Sequence, residues 1–263
     1  MSYSLILALC AAAFFLLLLG AIRIGRYLGH RHNMDEKSRA GSAAIEASVF
    51  ALLGLLIAFT FSGAAQRMAD RRNLLVQEVN SIGTAWLRID MLNASDQPAL
   101  RDQFRRYVDE RINYYRHVAD LDQRDAIAAK ASALQTDIWK GSMLAARNTP
   151  PPFATSYIGA VNDMFDVSTA QTVAQKVHPP VMTYVFLCFL ALVCACLIGL
   201  NLATAQRDTL FHQIIYALVM TAALYIIIDF EFPRIGAIRI DQSDTLLMAQ
   251  RQAMGGAPSG ALP

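Results

Sequence analysis

A group of charged residues follows the second long apolar run of the chain, and these side chains could act on an ion. The group consists of Arg67, Asp70, Arg71, Arg72 and Glu78. Its three arginines lie within six residues. Such arginines could anchor a helix at the lipid headgroups, which is their common role. In an oligomer built around an axis, Arg67, Arg71 and Arg72 could instead ring an entrance and raise the local concentration of anions.

A second charged group follows the fourth apolar run, in the segment IIIDFEFPRIGAIRID. It contains two acids and two arginines: Asp229, Glu231, Arg234 and Arg239. Acids at a membrane boundary are tolerated when an arginine is near. Pro233 ends the preceding helix and Gly236 permits an unusual turn. We therefore predict a structural lock between acids and arginines here.

Catalytic and metal-binding patterns are missing from the sequence. The histidines are scattered, and none has a partner at metal-ligand spacing: His30, His32, His117, His178 and His212. The cysteines all fall in apolar runs: Cys10, Cys188, Cys194 and Cys196. No nucleophile–base pair is recognisable. The sequence therefore predicts neither an enzyme nor a bound metal or cofactor.

The composition is typical of a membrane protein. Of the 263 residues 55% are hydrophobic, and the mean hydropathy is +0.34. The net charge of +2 is too small to indicate nucleic-acid binding. Four membrane spans are predicted: Ser4–Ile22, Ala44–Ser62, Val181–Leu202 and Thr209–Ile228.

The second span continues into a polar helix. No proline interrupts Ala44–Met91, and its later part has one helical seam: Met68, Leu75, Val79, Ile82, Trp86 and Ile89. We expect one long helix that leaves the bilayer and enters an extramembrane bundle.

Two faces are distinguishable on the second span. One is a stripe of small residues that would let helices approach closely: Ala47, Ala51, Gly54, Ala58, Ser62 and Ala65. The other face carries larger side chains, which we take as candidates for a pore or its narrow neck: Glu46, Phe50, Leu53, Ile57, Thr60 and Phe61. Tight packing on one face and lipid on the other is the alternative interpretation.

The predicted fold is all-α, with four spans and a helical bundle inserted between spans two and three. The bundle helices are indicated by apolar seams that begin near Pro98, Ile127 and Ile158. The proline run 150–152 predicts a stiff turn. The expected domains are spans one and two (1–63), the bundle (64–178), spans three and four with the exit motif (179–254), and a disordered tail (255–263).

The run EASVFALLGLLIAFTFSGAAQRMADRRNLLVQEVNSIGTAWLR and the later DFEFPRIGAIRID resemble the bestrophin-like family of bacterial membrane proteins. The resemblance covers about residues 46 to 241. The residues that match the family pattern are Glu46, Phe59, Arg67, Arg71, Arg72, Glu78, Arg88, Asp229, Pro233, Arg234 and Gly236. The resemblance implies that six of these residues, together with Glu231, form a structural lock: Glu78, Arg88, Asp229, Glu231, Pro233, Arg234 and Gly236.

Similarity to true bestrophins implies a homo-oligomeric anion channel in the bilayer, with chloride as a candidate ion and a hydrophobic neck on the second span. The chain lacks the dense acidic run that binds calcium in animal bestrophins, so calcium gating is not implied. The rival hypothesis is a non-conducting membrane scaffold or sensor whose bundle binds a partner.

The resemblance implies a bacterial inner-membrane protein with a cytoplasmic bundle. The positive-inside rule points the other way, because the short loop Arg23–Ser42 holds five Lys and Arg residues and the N-terminal flank holds none. The two criteria disagree, and both orientations stay open.

Overall fold

The computed structural model describes residues 3–31, 36–117, 121–203, 210–232 and 241–255, and this part of the chain is helical without strands. The predicted all-α class is confirmed. The described ranges contain eight α-helices: α1 (Tyr3–Arg31), α2 (Glu36–Arg88), α3 (Gln97–Arg116), α4 (Leu121–Arg147), α5 (Pro151–Lys176), α6 (Val181–Leu202), α7 (Leu210–Glu231) and α8 (Asp241–Ala253). A 3-10 turn at Ile89–Met91 follows α2.

Helix α2 is continuous over 53 residues, as expected for the join between the second span and the bundle. The predicted loop Arg23–Ser42 is wrong over most of its length, because α1 continues to Arg31 and α2 already begins at Glu36. Arginine and lysine are good helix formers, so charge alone does not stop a helix.

The proline run begins a helix here. Pro150 precedes α5, and Pro151 and Pro152 occupy its first turn, where a missing backbone N–H costs no helical hydrogen bond.

The chain forms two compact units, whose boundary within α2 falls between Met68 and Ala69. The membrane unit contains Met1–Met68 and His178–Ala237, and the bundle unit contains Ala69–Val177 and Ile238–Pro263. The predicted domains place residues 238–254 with spans three and four, whereas the structure places α8 in the bundle unit. There Arg251 donates to both carboxylate oxygens of Asp109 on α3, at 2.8 and 3.1 Å.

The bundle unit has one apolar core, to which the predicted seam of α2 contributes Leu75, Val79, Ile82, Trp86 and Ile89. Its largest fully buried side chains are aromatic and come from α3 and α5: Phe104, Tyr107, Tyr114 and Tyr157. These helices therefore hold the bundle part of α2 on one side.

In the membrane unit, α1 and α6 pack with their backbones in direct contact. A Cβ added to Gly25 would lie 2.0 Å from the carbonyl oxygen of Cys196, and one added to Gly199 would lie 2.0 Å from that of Ile22. Glycine is required at both positions because no other residue leaves this space.

Candidate functional site

The second span turns its larger side chains toward the interior of its own membrane unit. Leu53 is only 2% exposed and packs with Leu18, Ile22 and Leu190, while Phe50 and Ile57 are half-buried against the same core. Thr60 is half-buried and donates to its own helix, at the carbonyl of Leu56. The burial of Leu53 argues against a pore-lining role for that side chain.

The opposite face of the span is exposed. Only 6% of the most apolar window of this span is buried, compared with 17% in α1 and 17% in α7. The small-residue stripe lies on this face, beside two bulky side chains: Leu55 is 50% and Phe59 is 66% exposed. Phe61, at the edge of this face, is 42% exposed and contacts Phe230. Sequence reasoning missed Leu55 and Phe59 as pore candidates. The spacing was a usable signal, because Leu55 lies four residues after Ala51 of the stripe and Phe59 lies four residues after Leu55.

Arg67 forms an ion pair at the end of α7. Its Nε donates to Oε1 of Glu231 at 2.8 Å, and Glu231 is 2% exposed. Nδ1 of His178 lies 3.5 Å from the other carboxylate oxygen, and the His178 ring stacks on Phe232 at 4.9 Å. Glu231 is thus held in an ion pair with an arginine from α2.

Arg71 is a buried helix cap in the bundle unit. It is 5% exposed and donates to the carbonyl oxygens of Ala174 at 3.0 Å and Val177 at 2.9 Å, at the end of α5. Free carbonyls at a helix C-terminus carry partial negative charge, so a guanidinium stabilises them. Of the three arginines predicted at an entrance, Arg72 is the exposed one.

Glu78 lies in a buried polar network in the bundle unit. Nε of Arg111 donates to Oε1 of Glu78 at 2.5 Å, and the hydroxyl of Tyr115 donates to the other carboxylate oxygen. Burial alone would lower the pKa of Arg111, but Tyr115 and Glu78 outweigh it and raise this pKa. Arg88 does not join the network and donates to the carbonyl of Ser156 at 2.7 Å.

The remaining predicted residues are placed as follows. Glu46 accepts a hydrogen bond from Asn201 on α6. Asp229 is fully buried in α7. Pro233, Arg234, Gly236 and Arg239 lie outside the described residues.

The sequence contains a signal for the burial of Arg111. Arg111 occupies a seam position of α3, between Tyr107 and Tyr115. A charged residue in an otherwise apolar seam is a sign of a buried pair.

Within the described residues, no group of three or more His, Cys, Asp or Glu side chains is arranged to hold a metal ion. The candidate site is the exposed face of the second span.

Among the described residues, four helices are long and apolar enough to cross a bilayer, and together with the helical bundle they define a helical membrane protein. The Bestrophin-like domain matches residues 9–245, and the chain belongs to the Bestrophin-like family.

Solved structures share the fold. A bacterial bestrophin homologue from Klebsiella pneumoniae, phased by Zn-SAD, has a TM-score of 0.67 at 13% identity, with 93% of this chain and 96% of that chain covered. A structure of such a homologue from the same organism with a single mutation has a TM-score of 0.65 at 14% identity, with 93% and 99% covered. No curated protein matches the sequence.

Proposed function

We propose that the protein is an ion channel made of several copies around an axis, with the second span of each copy lining the passage. Family membership and the shared fold support a channel as the kind of protein. The observation that carries the proposal is the exposure of the second span, since only 6% of its most apolar window is buried.

The chemistry of this face favours other copies of the chain as its cover. Small residues allow helix backbones to approach closely in a bilayer, and their packing stabilises helix association there. Gly54 lies in this stripe, and nothing lies within 4 Å of a Cβ added there. The stripe therefore offers room for a neighbouring helix along the span.

We propose the hydrophobic neck at Leu55 and Phe59 instead of the predicted Phe50, Leu53, Ile57 and Phe61. Leu55 and Phe59 are separated by four residues, so they lie on one side of the helix about one turn apart. Repeated around an axis, they would form two apolar rings. Such rings stop conduction by excluding water, without charged gating groups.

An anion is the favoured ion. Arg72 is exposed and follows the second span, so several copies would bring a ring of positive charge near the passage. Chloride is the test ion for this preference. Arg67 and Arg71 are engaged in the contacts described above.

Recording from purified full-length protein in planar bilayers under a chloride gradient tests the proposal. Phe59→Ala is expected to increase the current several-fold, because it removes the larger apolar ring. Leu17→Ala is the control, since Leu17 is 58% exposed on α1. It should leave the current unchanged.

Two results would contradict the proposal. Absence of current from intact wild-type oligomers would favour the scaffold or sensor. Equal currents from wild type and Phe59→Ala would remove the neck from this position.

A further inference from the structure

A cleft opens between α1 and α7 of the membrane unit, on the side away from the second span's exit. It contains about 130 Å³ of space. Its walls come from the later part of α1 and the first turn of α7: Leu19, Ile22, Arg23, Arg26, Leu210, Gln213 and Ile214. The proposed pore uses none of these residues.

Two arginines line the cleft from α1. Arg23 and Arg26 are three residues apart, so they are neighbours on one side of the helix. Arg23 is exposed and makes no hydrogen bond or ion pair with any part of the chain that the structure describes. Guanidinium groups bind phosphate oxygens through paired, charge-assisted hydrogen bonds.

The rest of the cleft is apolar and open. Leu210 is 51% and Ile214 is 40% exposed, while Ile22 is fully buried and closes the cleft behind them. The amide of Gln213 is the other polar group in the lining, and this residue is 8% exposed. An aqueous phosphate ion would use the arginines and leave the exposed leucine and isoleucine uncovered.

We propose that this cleft binds an anionic phospholipid, with the phosphodiester on Arg23 and an acyl chain over Leu210 and Ile214. A phospholipid matches both parts of the lining, since it joins a phosphate to a hydrocarbon chain. Basic clefts between membrane helices bind lipid headgroups by the same chemistry. The inference is independent of whether the protein conducts ions.

Native mass spectrometry of the full-length protein, stripped of lipid in detergent, tests the inference. Phosphatidylglycerol and phosphatidylcholine of equal chain length are titrated separately. Wild type is expected to retain the anionic lipid preferentially. Arg23→Gln should weaken its retention about tenfold, as expected for loss of a hydrogen bond between charged groups.

Arg31→Gln is the matched control. Arg31 lies on the same helix outside the cleft, with its guanidinium carbon 5.8 Å from the centre of the Tyr27 ring. Its substitution should leave lipid retention unchanged. Arg23→Lys keeps the charge but loses the paired hydrogen bonds, so it should weaken lipid retention by a smaller factor than Arg23→Gln. It serves in place of Arg23→Gln if that variant does not yield intact protein, and retention equal to that of wild type would then overturn the site.

Inorganic phosphate distinguishes the two sources of the ligand group. Ile214→Ser should weaken phosphatidylglycerol binding and leave phosphate binding intact. If Ile214→Ser has no effect and millimolar phosphate displaces the lipid, the site takes free phosphate and the lipid assignment fails. Equal retention by Arg23→Gln and Arg31→Gln would overturn the site itself.

Discussion

Glu78 and Arg111 form an ion pair in the interior of the bundle unit, at 2.5 Å and with exposures of 0% and 3%. The guanidinium carbon of Arg111 also lies 5.1 Å from the ring centres of Tyr114 and Tyr115. Both charges are therefore removed from water and satisfied by neighbours. This pair joins α2 to α3.

Loss of one partner should be severe. Glu78→Ala leaves Arg111 buried without its counter-ion, and we expect the free energy of unfolding to fall by about 3–5 kcal/mol. Chemical unfolding in detergent, followed by tryptophan fluorescence, measures the change. Asp90→Ala is the control, because Asp90 is 63% exposed where it pairs with Arg101, and such pairs contribute at most about 1 kcal/mol.

A double variant separates the buried charge from lost packing. Glu78→Met with Arg111→Met removes both charges and keeps much of the volume, so it should recover most of the stability lost in Glu78→Ala. Equal stability of the single and double variants would show that charge burial is not the cause.

Tyr107 predicts an alkaline limit to the stability of the bundle. Burial raises the pKa of its hydroxyl above the usual value in unfolded chains, about 10. The folded state therefore keeps the Tyr107 proton to a higher pH than the unfolded chain does. The contribution of the neutral hydroxyl to the free energy of unfolding is complete below about pH 10, and it is lost as the pH rises toward the pKa of Tyr107 in the folded state.

Tyr107→Phe should flatten this loss between pH 9 and 11, when unfolding is measured across that range. Tyr27→Phe is the control, because Tyr27 is 62% exposed, and it should follow the wild-type curve. An unchanged slope in Tyr107→Phe would assign the alkaline loss to other groups.

Substitution of Gly25 and of Gly20 by alanine should change stability in opposite directions, although both lie on α1. Gly25→Ala forces α1 and α6 apart, since the new Cβ would lie 2.0 Å from a backbone oxygen, and we expect a loss of about 1–3 kcal/mol or more. Nothing lies within 4 Å of a Cβ at Gly20. Gly20→Ala should be neutral or stabilising by up to about 1 kcal/mol.

Thermal stability of both variants in one detergent, measured as the fraction of protein that stays monodisperse on size exclusion after heating, makes the comparison. If both variants lose stability equally, helix propensity or detergent effects, and not the α1–α6 contact, control the result.

Periodicity predicted most of the helices, because each bundle helix needs an apolar side against a common core. Val181–Leu202 was predicted with the bounds that α6 has. The spacing also distinguished two faces of the second span, except that Phe61 was grouped with Leu53 and lies at the edge of the exposed face. The sequence could not show which face is buried, since lipid and the protein interior are equally apolar surroundings for Leu53 and Leu55. Only the packing of α1 and α6 against the span shows that Leu53 is the buried one.

Partners of charged residues were the least predictable feature. Arg67, Arg71 and Arg72 look equivalent in the sequence, yet one pairs with Glu231, one caps α5 and one is exposed. The partner of each arginine depends on which helix lies beside that turn of α2. The sequence pattern does not show which helices are neighbours in space.

Arg71 and Arg72 are adjacent in sequence and should differ in every measurement. Arg71→Gln removes two hydrogen bonds to carbonyls at the end of α5, so the free energy of unfolding should fall by about 1–3 kcal/mol. Arg72→Gln removes an exposed charge and should change stability by less than about 0.5 kcal/mol. In bilayer recordings it should instead shift the reversal potential toward lower anion preference. A stable Arg72→Gln channel with the wild-type reversal potential would show that this arginine does not act on the ion, and an unaltered stability of Arg71→Gln would show that the α5 cap contributes little.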